Sequence, residues 1–367
     1  MKRKLNILNS KGGADFFASI LAIAVGLLFG LIILLFTNIG EAFPAFFTII
    51  LGGFTDGMAG IGQVLYMATP IILTGLSVGF AFKTGLFNIG SSGQFTLGAF
   101  AAVYIGVKWT FLPPGLHWIA ALLGATLAGA VWGMVPGILK ALSNVNEVIT
   151  SIMLNYIGMY LVNMLIVQFV FDPVKNQSVP VAAGANIPKA GLDRLFHSSN
   201  MNISILIAIL VVALIYVILN KTTFGYELKA CGHSKEASRY AGINAKRNII
   251  LSMVIAGALS GLGGGILYLA GSGKYLQVVD ILASQGFSGI SVALLGMSNP
   301  VGILFAGLFI AHITVGGFNI QLYSFVPEVI DIIISAIIYC GAFALLFKSF
   351  ISRFGRKSLK TVKEERS

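Results

Sequence analysis

Between residues 16 and 347 the chain passes through ten apolar segments separated by short polar or basic stretches. They run approximately over residues 16–38, 61–82, 86–107, 116–139, 148–171, 203–219, 249–270, 282–297, 301–317 and 327–347. A membrane span needs about 20 apolar residues. Inside lipid, backbone N–H and C=O groups must pair within the protein, so segments of this length fold as helices. The third and eighth segments carry Gly and Ser pairs, which predict interruptions in a continuous helix. Charged residues make up 10% of the chain and hydrophobic ones 57%, whereas soluble domains carry about 25% charge. The expected fold is an all-α polytopic membrane protein of about ten transmembrane spans.

Basic residues set the orientation, because they collect on the cytoplasmic side. With the amino terminus inside and the spans alternating, 19 of the 24 Lys and Arg residues fall on the cytoplasmic side. Residues 1–15 are then a cytoplasmic segment and 16–347 the transmembrane domain. Within that domain 220–248 is the long internal loop and 172–202 the long external one. Residues 348–367 form a basic cytoplasmic tail. The first apolar run is longer than a signal-peptide core of about 7–15 residues, so an uncleaved first span is expected. The net charge of +11 is mostly topological, and no nucleic-acid partner is expected. Cys231 and Cys340 are expected to be free thiols.

Two features suggest inverted halves, with spans two to five mirrored by seven to ten. The interrupted segments are five spans apart. Glu147-Val148-Ile149 opens the fifth span and Glu328-Val329-Ile330 the tenth. Interrupted segments in matching positions point to the binding site of a transporter. Asn88, Gln94 and Ser288 supply uncharged polar groups there, with Phe87 and Phe287 as apolar walls. Asn155 and Tyr156 lie deeper in the fifth span, facing either the path or a neighbouring helix. The alternative role for Asn88 and Gln94 is to tie down broken helix ends. Asn144 and Glu147 have capping-box spacing. Gly129-Gly133-Gly137 and Gly257-Gly261-Gly265 have the spacing that lets helix backbones approach closely. There is no Walker A pattern, HExxH or Cys/His metal cluster in the sequence, and few charges lie within the spans. The external loop either covers the mouth, meets an external partner or merely connects two spans.

In the internal loop, Ser234 can cap a short helix and Gly242 can stop it. Ala237, Tyr240 and Ala241 then share one face. The order Glu236-Ala237-Ser238, three residues, Gly242 resembles the EAA-x3-G loop of ABC importer permeases, with Ser238 in place of the second Ala. That resemblance implies that Glu236, Ala237, Tyr240 and Gly242 couple the chain to an ATP-hydrolysing subunit. Residues 85–100 (GLFNIGSSGQFTLGAF), 144–163 (NVNEVITSIMLNYIGMYLVN) and 286–302 (GFSGISVALLGMSNPVG) resemble the ribose/branched-chain-type permease family. Within it they are most similar to nucleoside permeases.

This resemblance, over roughly residues 60–347, implies a type II ABC importer-like bundle in a bacterial plasma membrane. It implies a nucleoside importer, energised by a separate ABC ATPase subunit. A second, paralogous permease and an extracellular substrate-binding lipoprotein would complete it. No cofactor is expected on this chain, since ATP belongs to the partner. A ribose or other simple-sugar permease is the alternative within the class. An ion-coupled carrier is the alternative outside it, and buried ionisable residues would mark one.

Overall fold

The computed structural model describes residues 11–343. The expectations for most of the amino-terminal segment, the last turn of the tenth span and the basic tail lie outside the described residues. In chain order the helices are α1 (Lys11–Thr37), α2 (Ile39–Leu51), α3 (Gly57–Lys83), α4 (Ser91–Lys108), α5 (Pro114–Ser143), α6 (Glu147–Phe169) and α7 (Leu192–Leu195). They continue as α8 (Ser204–Lys221), α9 (Thr223–His233), α10 (Lys235–Tyr240), α11 (Ala245–Tyr268), α12 (Ser284–Leu295), α13 (Pro300–Asn319) and α14 (Pro327–Ala342).

Among the described residues, seven helices are long and apolar enough to cross a membrane. They lie in α1, α3, α5, α6, α8, α11 and in α13 with the turn after it. The other three apolar segments hold α4, α12 and α14. The 12 residues of α12 rise only about 18 Å, against a hydrocarbon core of about 30 Å. The Gly and Ser pairs do not break α4 or α12 in the middle. Ser91 and Ser284 are the first helical residues, and the irregular backbone precedes them.

Glycine decides which helices meet. The two small-residue repeats pack against each other across α5 and α11. A Cβ added at Gly129 would stand 2.7 Å from Gly261 Cα, and one at Gly133 would stand 3.0 Å from Gly257 Cα. Close backbone approach of this kind maximises dispersion contact where no hydrophobic effect drives association. α3 is the most enclosed span, 89% buried over its apolar window. It packs on α11, α12 and α13, while α11 packs on α3, α4 and α5. α1 lies outside this centre against α14, where Gly30 would place a Cβ 2.8 Å from Ile333.

Besides the four-residue α7 in the 172–202 loop, two longer helices lie where the sequence showed none. α2 follows the first span at once: Asn38 Oδ1 accepts from Gly40 N–H at 3.1 Å, and the Glu41 carboxylate accepts from Ser324 N–H at 2.8 Å. α9 fills the start of the 220–248 loop, capped by Thr222, whose Oγ1 accepts from Gly225 N–H at 3.1 Å. The loop over residues 172–202, expected to be external, is built rather than slack. Phe171–Asp172 and Gln177–Ser178 pair as a small antiparallel hairpin. Ser178 N–H donates to Leu276 C=O at 2.7 Å, Ala182 N–H to Gly106 C=O at 2.9 Å, and Ile187 N–H to Leu269 C=O at 2.8 Å. The loop is thereby stitched over the ends of α4 and α11.

Candidate substrate path and coupling surface

The turn between α3 and α4 gathers three of the predicted path residues. Asn88 and Gln94 exchange hydrogen bonds: Asn88 Nδ2 donates to Gln94 Oε1 at 2.8 Å, and Gln94 Nε2 donates to Asn88 Oδ1 at 3.1 Å. The second Asn88 N–H reaches Ser77 Oγ at 3.0 Å. Asn155, from α6, accepts from Gly93 N–H at 2.8 Å and donates to Ile89 C=O at 2.9 Å. All three amides are buried. An unpaired amide at such depth would be costly, and this arrangement satisfies the open backbone of the turn instead.

α11 supports the turn from one face, through Ser252 and Ser260, eight residues apart. Ser252 Oγ and Thr84 Oγ1 lie 2.8 Å apart. Ser260 Oγ donates to Ser91 C=O at 2.7 Å and lies 2.7 Å from Ser91 Oγ. Neither Ser252 nor Ser260 was singled out from sequence, although two hydroxyls eight residues apart fall on one side of an apolar helix. The third and eighth segments do meet. Ser92 Oγ donates to Ala283 C=O at 2.9 Å. A Cβ on Gly286 would stand 2.5 Å from Ser92 Cα, so the two backbones touch at this level.

The remaining predicted path residues stand apart from that cluster. Phe87 stacks on Phe82, with ring centroids 5.2 Å apart and planes 7° from parallel. Tyr156 is half exposed on α6, and Phe287 is exposed on α12. Ser288 Oγ donates to Ser284 C=O at 3.2 Å. Among the described residues no hydrogen bond joins Tyr156, Phe287 or Ser288 to the amide cluster.

In the loop after α9, Ser234 caps α10: its Oγ accepts from Ala237 N–H at 3.2 Å. Gly242 follows the helix with φ +80°, a left-handed conformation that favours glycine. Glu236, Ala237, Tyr240 and Ala241 all face outward, with Tyr240 95% exposed. Ser238 is the residue that turns inward, its Oγ donating to Ser234 C=O at 2.8 Å. α10 rests on α9 and α11, and Asn248 Nδ2 on α11 donates to Glu227 Oε2 on α9 at 3.0 Å.

One capping expectation is corrected. Asn144 does not cap α6; it ends α5 with φ 52°. Asn146 is the cap, its Oδ1 accepting from Val148 N–H at 2.9 Å and Ile149 N–H at 3.3 Å. Glu147 instead forms an ion pair with Lys140 at 2.8 Å. Among the described residues no group of His, Cys, Asp or Glu is arranged to hold a metal ion. Cys231 and Cys340 are both buried and free.

Comparison with known proteins gives the arrangement a family. No solved structure matches the chain. The guanosine ABC transporter permease protein NupP of Bacillus subtilis is 36% identical over 339 residues, covering 92% of this chain and 96% of that protein. The nucleoside ABC transporter permease protein NupB of Lactococcus lactis is 39% identical over 286 residues, 76% of this chain and 78% of that one. A glucose ABC transporter permease of Haloferax volcanii is 34% identical over 286 residues, 76% of this chain and 74% of that one. The family described as the permease component of the branched-chain amino acid transport system matches residues 60–353, and the chain, a multi-pass all-α membrane protein, belongs to that permease family.

Proposed function

We propose that the chain is the transmembrane permease subunit of an ATP-binding-cassette importer that moves nucleosides into the cell. The observation that carries this reading is the end-to-end likeness to a permease named for guanosine. The likeness to a glucose permease covers less of the chain and supports a sugar as the second reading. ATP hydrolysis belongs to a separate subunit docked on α10. Its outward Glu236, Ala237 and Tyr240, and the stop at Gly242, fit a helix that seats in a partner's groove. An external binding lipoprotein fits the ordered loop over α4 and α11.

The proposed topology has ten spans, both termini cytoplasmic, and two inverted halves in the plasma membrane. Reciprocal packing supports the halves. α3 opens the first and rests on α12 and α13, the second and third spans of the other. α11 opens the second and rests on α4 and α5, the second and third spans of the first.

The proposed path runs along the third and eighth segments. Asn88, Gln94 and Asn155 hold the shape of the turn there, while Phe87, Tyr156, Phe287 and Ser288 supply its walls. Tyr156, Tyr160 and Asn163 fall at i, i+4 and i+7, on one side of α6. Tyr156 and Tyr160 are both half exposed in the single chain. Polar groups at this depth suit a water-filled path completed by a second permease better than lipid. An uncharged path with aromatic walls suits a flat, polar, neutral ligand.

Uptake of labelled guanosine, uridine, ribose and glucose, in cells with and without this chain, tests the assignment. Loss of nucleoside uptake alone is the expected result. Loss of sugar uptake with nucleoside uptake intact would replace it with the sugar reading.

A further inference from the structure

We infer that a bare-backbone contact between Gly232 on α9 and the corner at Lys83–Gly85 transmits movement of the docking helix into the Asn88–Gly93 turn. The inference rests on the reading of α10 as the ATPase-docking element. α10 hangs from α9 through the single residue Ser234, whose backbone is extended. One residue before the end of α9, Gly232 presents no side chain to the corner. A Cβ there would stand 2.5 Å from Lys83 C=O oxygen and 3.0 Å from Gly85 N. Gly85 answers from the other side: its own Cβ would stand 3.2 Å from Gly232 Cα, and its φ of +72° excludes most other residues. Two backbones in direct contact have no side-chain rotamers between them to absorb a displacement.

What lies beyond Gly85 gives the contact its consequence. Asn88 is three residues on, locked to Gln94. Asn155 ties the same turn to α6 through Ile89 and Gly93. α11 grips both sides of the contact from one face. Its Asn248 bonds Glu227 of α9, and its Ser252, one turn further, meets Thr84 of the corner. A push on α10 therefore reaches the turn by two routes, one direct and one braced by α11. Gly232 and Gly85 are positioning residues in this scheme and need touch neither ATP nor the transported molecule.

The test uses the whole transporter in liposomes, with guanosine uptake and ATP hydrolysis measured together. Gly232→Ala adds one methyl at a helical position and crowds only this contact. The ATPase subunit should stay bound and ATP hydrolysis should persist, while guanosine moved per ATP falls by about tenfold. Gly225→Ala is the control, since it crowds α9 against Ile218 and Leu219 of α8 instead. An equal fall in both variants, or no fall in Gly232→Ala, overturns the assignment to this contact. If Gly232→Ala does not accumulate, hydrogen exchange on the unaltered complex decides. Adding ATP should change the protection of residues 85–93 together with that of residues 235–240. A response at 235–240 with none at 85–93 overturns the inference. Failure of the ATPase subunit to protect 235–240 at all overturns the docking reading itself, and the inference with it.

Discussion

The side-chain hydrogen bonds of α10 stay within four residues along the chain. Those of the Asn88–Gln94 segment also reach Ser77, Asn155, Ser260 and Ala283. Both segments are short and polar, yet they are opposite kinds of object. α10 is a local knob, capped and stopped by its own neighbours, with its outer face left for something else. The Asn88–Gln94 turn is a knot in which α3, α4, α6 and α11 share polar groups. Changes on the knob should therefore alter function without unfolding the chain, whereas changes in the knot should cost structure first.

The sharpest way to break this contrast is at Glu236. Glu236→Arg should reduce uptake to background while the chain still reaches the membrane, and capture of the ATPase subunit should be lost in parallel. Normal uptake in that variant would remove α10 from the coupling role. In the knot, Asn155→Leu strips the partners from Gly93 N–H and Ile89 C=O. Each orphaned buried group costs about 1–3 kcal/mol, so thermal stability in detergent should fall steeply along with uptake. An Asn155→Leu protein of native stability with altered nucleoside selectivity would instead make Asn155 a ligand contact.

Smaller effects sharpen the comparison further. Ser234→Ala removes the cap of α10 and should weaken ATPase capture by about 1 kcal/mol of helix stability, leaving the melting of the bundle unchanged. Ser151 shows the reverse sign. Its Oγ is buried beside Gly90 and has no hydrogen-bond partner among the described residues. Ser151→Ala should thus leave thermal stability unchanged or raise it by up to about 1 kcal/mol. A clear loss of stability would show that the hydroxyl is paired in the working transporter.

Much of the architecture was legible because span length and loop composition are local properties. The apolar runs at 61–82, 116–139, 148–171, 203–219 and 249–270 reappear as α3, α5, α6, α8 and α11, within a few residues at most ends. Ser234 and Gly242 bound α10 as their residue types require. α2 was missed because its apolar residues continue directly from the first span, with only Asn38 to mark a new start. α9 was missed because a polar surface helix lacks the apolar periodicity that marks a core helix. Asn144 and Asn146 show the limit of spacing alone. Both are good terminal residues, and only the left-handed backbone at Asn144 tells which helix each one serves.

By itself, then, the sequence determined that the chain lives in a membrane, roughly where its helices run, and how α10 begins and ends. Tertiary structure alone decided that Gly129 and Gly133 meet Gly257 and Gly261, that Asn88 closes on Gln94 and Ser77, and that Ser238 turns inward while Tyr240 does not. Hydropathy and capping are settled among residues a few positions apart. Which amide pairs with which, and which glycine admits which backbone, depends on helices that meet only after the bundle has closed, and a single buried polar group has many partners it could take until then.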